Sequence, residues 1–579
     1  LNTMAMTGRR RPRRRQGPIL AFLFIMAAIA AAILYWWISE RPNTAHETPE
    51  YRSLPHPIML DGEWSEMGAI GQGEGLLIPL KVAEKLLGDG VRYEEDSKSI
   101  ILTTDKAVLH FKAGELDATM NRKPFTLSFA AKEQDGELYL PFAPLKQLFG
   151  IQAVEAATSG IVTLQMPDQS IQTAEVPASS KKGAKLRSGP DKSFPIIEDL
   201  AAGTTVTVWG EEDGWYKLQS AEGFLGYAAK SNVVLGEIRR TPSAGSAEEE
   251  PFVAWKVTGE RINLTWEPVY TANPDTSKIG ELTGVNVVSP TWFELKDGSG
   301  QIISKADASY SSWARNKGIQ VWALFSNGFE PEPTTDALAT YETRITMIQQ
   351  LLAYAKTFKL NGINLDFENV ETSDKDNFVQ FVRELAPLAH EQNLVLSVDV
   401  TPKSNSEYWS LFLDRPRLAE AADFLILMAY DEHWASSPVA GSVASLPWSE
   451  QSIVRLLEED GIPAGKLILG MPYYTRIWTE TTSGGETKVS SKTMSMDSVK
   501  ELIAEKKLTP KLSADTGQNY VEFKEDGATK KIWIEDASSI AKRAELVKKY
   551  NLAGAASWRR GFESADIWAA LDKALQSRP

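Results

Sequence analysis

The chain of 579 residues contains no cysteine. Disulfides, a thiolate zinc site and a cysteine nucleophile are therefore excluded. Histidine is scarce as well. His46, His56, His110, His390 and His433 are scattered, and no HExxH or other metal-ligand spacing occurs. No metal and no cofactor is expected. The formal net charge is −14, which removes any global case for nucleic acid as a partner. What the chain has in plenty is tryptophan, with 17 residues, a side chain suited both to cores and to carbohydrate surfaces. At this length roughly three or four domains are expected.

The basic exception lies at the start. Arg9, Arg10, Arg11, Arg13, Arg14 and Arg15 fall in a tail spanning 1–17. An uncharged apolar run follows over 18–38, about 21 residues, enough to cross a bilayer as a helix. Tyr35, Trp36 and Trp37 sit at its far end, where interfacial aromatics belong. The pattern predicts an uncleaved, single-pass anchor in the cell membrane. The arginines would stay cytoplasmic and everything after Glu40 would lie outside, in the cell wall or spore envelope. A cleaved signal peptide is the alternative, since 27–32 offers small residues.

A linker over 39–56 leads to a segment, 57–168, with an internal echo. Leu77-Ile-Pro-Leu80 precedes Leu86-Leu87-Gly88, and Tyr139-Leu-Pro-Phe142 precedes Leu148-Phe149-Gly150 at a constant offset. Each copy reads as strand, short helix, glycine stop and strand. This α+β segment resembles the module named after the N-terminal domain of copper amine oxidases. A single histidine in it, His110, cannot build a copper site. Residues 182–236 read as short strands separated by turns, with Leu186-Arg-Ser-Gly-Pro190, Gly214-Trp-Tyr-Lys-Leu218 and Gly226-Tyr-Ala228 in an order similar to bacterial SH3-like domains. That resemblance implies a small all-β barrel and a cell-wall partner, with a structural spacer as the alternative. A linker, 237–253, follows.

From 254 to 579 strand and helix patterns alternate. Candidate strands are Ile262–Thr265, Val285–Ser289, Ile319–Phe325, Ile363–Glu368, Leu394–Val400, Phe424–Tyr430, Leu467–Tyr473 and Ala555–Trp558. Apolar stripes at Ile345, Ile348, Leu352 and Ala355, and at Phe378, Phe381, Val382, Leu385 and Leu388, mark two of the helices between them. The order predicts an α/β fold of the (β/α)8 barrel type, with a doubly wound sheet as runner-up. Between strands seven and eight, Thr479–Asp536 reads as an insertion holding a hairpin around Glu525-Asp-Gly527, with no larger inserted domain.

The chemistry concentrates in Asn361-Gly-Ile-Asn-Leu-Asp-Phe-Glu-Asn369. Alternation puts Ile363, Leu365 and Phe367 on one face and Asn364, Asp366 and Glu368 on the other. Two carboxylates roughly 6–7 Å apart along one strand raise each other's proton affinity. They cannot flank a sugar as an acid and a nucleophile do in a two-carboxylate glycosidase. Either another strand or the substrate itself supplies the nucleophile, and a 2-acetamido carbonyl is able to do so.

These residues resemble the fourth-strand motif Asp-x-x-Asp-x-Asp-x-Glu of family 18 glycoside hydrolases, the chitinase-like superfamily. Met428-Ala-Tyr430-Asp431 matches the sixth-strand motif and Trp558 the eighth-strand tryptophan. The resemblance implies Glu368 as acid and base, Asp366 as the group orienting the acetamido N–H, and Tyr430 as a donor to its carbonyl. It places Asn364, Met428, Asp431 and Trp558 in the same subsite. Asn361 and Asn364 depart from the family's aspartates, and Ser326-Asn-Gly328-Phe329 departs from its third-strand motif. Asn-x-Asp-x-Glu is similar to the spore-cortex-lytic branch. The implied function is hydrolysis of a glycan containing N-acetylglucosamine, peptidoglycan or spore cortex before chitin. A non-catalytic glycan-binding protein on the same fold is the alternative from a different class. Trp266, Trp292, Trp322 and Trp434 are expected either to stack on sugars or to pack.

Overall fold

The structure, a computed structural model, describes residues 17–39, 41–243, 252–256 and 259–576. The arginine tail and the acidic stretch before Pro251 lie outside the described residues.

Residues 254–576 carry the predicted barrel. Its strands, labelled in chain order, are β1 Ile262–Glu267, β2 Val287–Pro290, β3 Gln320–Ser326, β4 Gly362–Asp366, β5 Val395–Val400, β6 Phe424–Met428, β7 Leu467–Pro472 and β8 Gly554–Trp558. Each pairs in parallel with the next, and β8 pairs with β1, so the sheet closes. Two short strands, Phe293–Leu295 and Ile302–Ser304, add to the sheet beside β3, and the closure of the eight rules out a doubly wound sheet.

Alternation sorts the side chains. Ile363, Leu365 and Phe367 point outward into the apolar layer between strands and helices. There Phe367 stacks on Phe378 and Phe381 of the helix Lys375–His390, with ring centroids 5.1 and 5.9 Å away. The predicted helix stripe Phe378, Phe381, Val382, Leu385 and Leu388 is fully buried in that layer. A separate inner cluster of Leu264, Trp266, Trp322, Leu324, Ile426 and Ile468 fills the barrel. Trp322 is thus core packing, and Trp292 is buried in the outer layer. Helix starts are fixed locally. Asp307 accepts from the Tyr310 N–H, and Asp536 and Ser539 form a capping box.

The insertion after β7 is larger than the sequence suggests. Strands Tyr474–Ser483, Glu486–Ser495, Lys511–Leu512, Asn519–Glu525 and Ala528–Ile534 form one antiparallel sheet, with the helix Met496–Lys506 beside it. The predicted hairpin is there: Asp526 and Gly527 join its strands in the left-handed region, at φ of 51° and 74°.

The chain divides into two compact units, and 57–168 contributes to both. Residues 86–127 belong with the barrel. Their five antiparallel strands, from Val91–Glu94 to Lys123–Thr126, place Ile101 and Val108 in the apolar layer that also holds the barrel helices. The buried Arg344 binds Glu94 at 2.7 Å and Glu384 at 2.7 and 3.0 Å.

The other unit holds the two repeat strands Leu77–Pro79 and Glu137–Pro141, paired antiparallel. It also holds a seven-stranded sheet running from Ser170–Glu175 to Val234–Arg240, wider than the SH3-like segment predicted at 182–236. Ala174, Leu186, Val206, Leu218 and Ala228 form its core.

The expected membrane anchor is overturned. The apolar run does form a helix, Gly17–Ser39. Among the described residues, however, no helix is long and apolar enough to cross a membrane. A span needs roughly 20 apolar residues at 1.5 Å each. With the anchor goes the expected single-pass placement in the cell membrane.

Candidate active site

The carboxyl ends of the barrel strands open into a cleft of about 1140 Å³. Asp366 is the last residue of β4, and Glu368 stands two residues beyond it, on the same face. Asn327, just past β3, holds the backbone there. Its Nδ2 donates to the Glu368 carbonyl at 2.8 Å, and its Oδ1 accepts from the Glu368 N–H at 3.0 Å. The carboxamide is itself buried and also meets Thr334 Oγ1 at 3.0 Å.

Asp366 and Glu368 hydrogen-bond to each other. Burial raises the proton affinity of both. For Glu368 the neighbouring charges of Asp366 and then Asp431 add to it. Among its side-chain atoms, Asp366 Oδ1 is buried without a donor from any N–H or hydroxyl group.

A third carboxyl joins from β5. Asp399 is 1% exposed, and burial, followed by the Asp366 charge, pushes it up. Asn364 links the group. Its Oδ1 accepts from Trp266 Nε1 at 2.9 Å and Ser289 Oγ at 3.0 Å, and its Nδ2 donates to Asp399 Oδ1 at 2.8 Å. Asn361, by contrast, starts β4, and its Oδ1 accepts from the Val321 N–H at 3.0 Å.

The remaining predicted residues converge on the same cleft. Met428 ends β6, and Tyr430 and Asp431 follow it. Burial, then the charges of Asp399 and Asp366, raises the Tyr430 hydroxyl well above its usual range. Asp431 lies in the left-handed region at φ 59°, a conformation costly for a non-glycine residue. Two groups on the strand Tyr474–Ser483 hold it: Tyr474 Oη at 2.7 Å and Arg476 Nη2 at 2.9 Å. Trp558, ending β8, sits edge-on to Trp266 with centroids 5.9 Å apart. Trp434 is exposed at the rim.

Glu368, Asp366, Tyr430, Met428, Asp431 and Trp558 therefore line one cleft, with Asn364 buried beneath it. Sequence reasoning did not single out Asp399, Asn327, Ser289, Tyr474 or Arg476. The signal for Asp399 was available: one acid inside Leu394–Val400, apolar but for Ser397.

A closed (β/α)8 barrel with a buried carboxyl cluster at the carboxyl ends of its strands is an architecture that suits glycoside hydrolysis. The chain belongs to the glycosyl hydrolases family 18, whose family model matches residues 268–563. The bacterial SH3 domain model matches 182–234 and the copper amine oxidase N-terminal domain model 63–164.

Among similar proteins, the uncharacterized glycosylase YvbX of Bacillus subtilis (strain 168) is 28% identical over 317 residues, 52% of this chain and 88% of that protein. The cortical fragment-lytic enzyme of the same organism is 24% identical over 231 residues, 39% of this chain and 52% of that protein, so the chain matches about half of that relative's length. A solved chitinase from Chromobacterium violaceum superposes with a TM-score of 0.49 at 25% identity, covering 55% of this chain and 100% of the chitinase.

Proposed function

We propose that the barrel cleaves a glycan containing N-acetylglucosamine with retention of configuration, using the substrate's own acetamido group as nucleophile. The favoured substrate is peptidoglycan, the spore cortex in particular. One observation carries the mechanism: Asp366 and Glu368 hydrogen-bond to each other at the end of one strand. Carboxyls in contact cannot act from opposite faces of a scissile bond, as a retaining acid–nucleophile pair must. Asp431, the next acid in the cleft, is occupied by Tyr474 and Arg476.

Glu368, kept protonated by burial and its acidic neighbours, gives its proton to the leaving oxygen. The acetamido carbonyl oxygen closes on C1. Asp366 accepts from the acetamido N–H and stabilises the positive charge that develops there. Tyr430 donates to the acetamido carbonyl and orients it. Trp558 forms the floor beneath the sugar, and Met428, Asp431 and Asn364 shape the subsite. Water then opens the intermediate, with Glu368 as base.

The substrate reading rests on the modules and on kinship with a cortical fragment-lytic enzyme. In this reading the segments 57–168 and 182–236 engage the wall. The full chain, beside a Glu368→Gln variant, is to be incubated with purified cortex peptidoglycan and with chitin oligomers. Peptidoglycan cleavage that vanishes in the variant supports the proposal. Cleavage of chitin alone makes the protein a chitinase. Binding without cleavage of either makes it a glycan-binding protein.

A further inference from the structure

Three carboxyls, Asp366, Glu368 and Asp399, meet in a buried cluster, and no cation acts on any of them among the described residues. Three negative charges cannot coexist there, because each desolvated carboxylate raises the proton affinity of the others. The hydrogen bonds show where protons are needed. A bond between the Asp366 and Glu368 carboxyls requires a proton between them. The bond from Asn364 to Asp399 requires none, because an amide N–H donates to a carboxylate, and that donation opposes the burial and the Asp366 charge that push Asp399 up.

The Asn364 amide has one possible orientation. An indole nitrogen only donates, so the group facing Trp266 Nε1 is the Asn364 oxygen, and the NH2 faces Asp399. Register agrees: Leu365 stands opposite Val398, so Asp366 and Asp399, the next residues on β4 and β5, lie at one level of the barrel.

We propose that Asp399 is a positioning residue of the acid cluster, the anion on β5 that keeps the Asp366–Glu368 pair protonated and fixes the Asn364 amide beneath it. The role rests on the function proposed above. Asp399 supplies from the neighbouring strand the second carboxyl that an asparagine at 364 cannot. The titratable groups acting on it are Asp366 and Glu368 from β4 and Tyr430 beyond β6. Arg476, elsewhere in the cleft, is paired with Asp431.

The test is an exchange. Asp399→Asn removes the anion and keeps the shape. Asn364→Asp with Asp399→Asn restores one carboxyl and one amide to the same hydrogen-bonded pair, with Trp266 and Ser289 donating to the new carboxylate. The single variant is expected to lose kcat about tenfold or more, and its alkaline activity limb is expected to move about one pH unit or more toward acid. The double variant is expected to recover most of both. A purely structural role would lower kcat without moving the limb.

A second readout needs no turnover. The infrared carbonyl band of protonated carboxyls is titrated in wild type and Asp399→Asn. The band is expected to disappear at lower pH in the variant. If wild type cleaves no glycan but the band shifts, the functional reading fails and the acid cluster stands. An unshifted band, or a double variant no better than the single one, overturns the role of Asp399.

Discussion

Asn327 grips Glu368 by its backbone, donating to the carbonyl at 2.8 Å and accepting from the N–H at 3.0 Å. An acid placed just past the end of a strand has no ladder partner to fix it, and this carboxamide takes the ladder's place. Asn327→Ala leaves a buried N–H and carbonyl unsatisfied, at about 1–3 kcal/mol each. If half of that loss appears at the acid, kcat falls roughly tenfold. Steady-state kinetics beside a thermal melt check it. The expected outcome is a drop in kcat larger than the melting shift explains.

Asp366→Asn keeps the shape of the side chain and removes its charge. The expected loss in kcat is about 10²–10⁴, in the range for a positioned acid–base group. KM for an N-acetylglucosamine oligomer is expected to change far less. Equal losses in binding and turnover would move Asp366 out of the reacting centre.

The pH profile follows from the same cluster. Burial raises Asp366 and Glu368 above the ordinary carboxyl range, and the charge of Asp366 raises Glu368 further. Glu368 must be protonated to act, so activity is expected to persist above the ordinary carboxyl range and fall as pH rises through the elevated value. Asp366→Asn removes the raising charge, and the residual activity is expected to fall at a lower pH. A limb that stays in place contradicts the coupling.

Arg344 is fully buried and bridges Glu384 and Glu94, which ties the strand Val91–Glu94 to the helices Tyr341–Phe358 and Lys375–His390. Arg344→Met strands the Glu384 charge in the interior. The expected destabilisation is about 3–5 kcal/mol, read by urea unfolding. The folded fraction is expected to keep its kcat, because Arg344 lies outside the cleft.

His110 stacks on Tyr341 with ring centroids 3.8 Å apart and meets Ser99 Oγ at 3.0 Å. Burial pushes it down to about 4, from the ordinary 6.5. Between those values the unfolded chain binds the extra proton and the folded chain does not. The stability tied to this ring is therefore full above pH 6.5 and is lost as pH falls toward 4. His110→Gln is expected to flatten that part of the stability–pH curve, measured by denaturant midpoints.

Much of this was legible in the chain because period-two alternation survives packing. Ile363, Leu365 and Phe367 read as one face and do form one, against Phe378 and Phe381. The long strand Glu486–Ser495 of the insertion was illegible for the opposite reason. It is rich in Thr, Ser and Lys and is mostly exposed, so no apolar rhythm marks it. Trp322 looked like a possible sugar platform, yet it is inner barrel packing, because aromatic content alone does not say which face is wet. Asp399 and Asn327 were missed because their roles depend on partners from other strands. An apolar run alone also misled, since the helix Gly17–Ser39 does not qualify as a span.

The central claim is that the nucleophile belongs to the substrate. The direct measurement is the anomeric configuration of the first product released from a β-linked N-acetylglucosamine oligomer, read by proton NMR within one turnover time. A matched oligomer lacking the N-acetyl groups serves as the comparison. The expected result is a β product from the acetylated oligomer and no cleavage of the deacetylated one. An α product, or equal cleavage of both oligomers, would contradict the account.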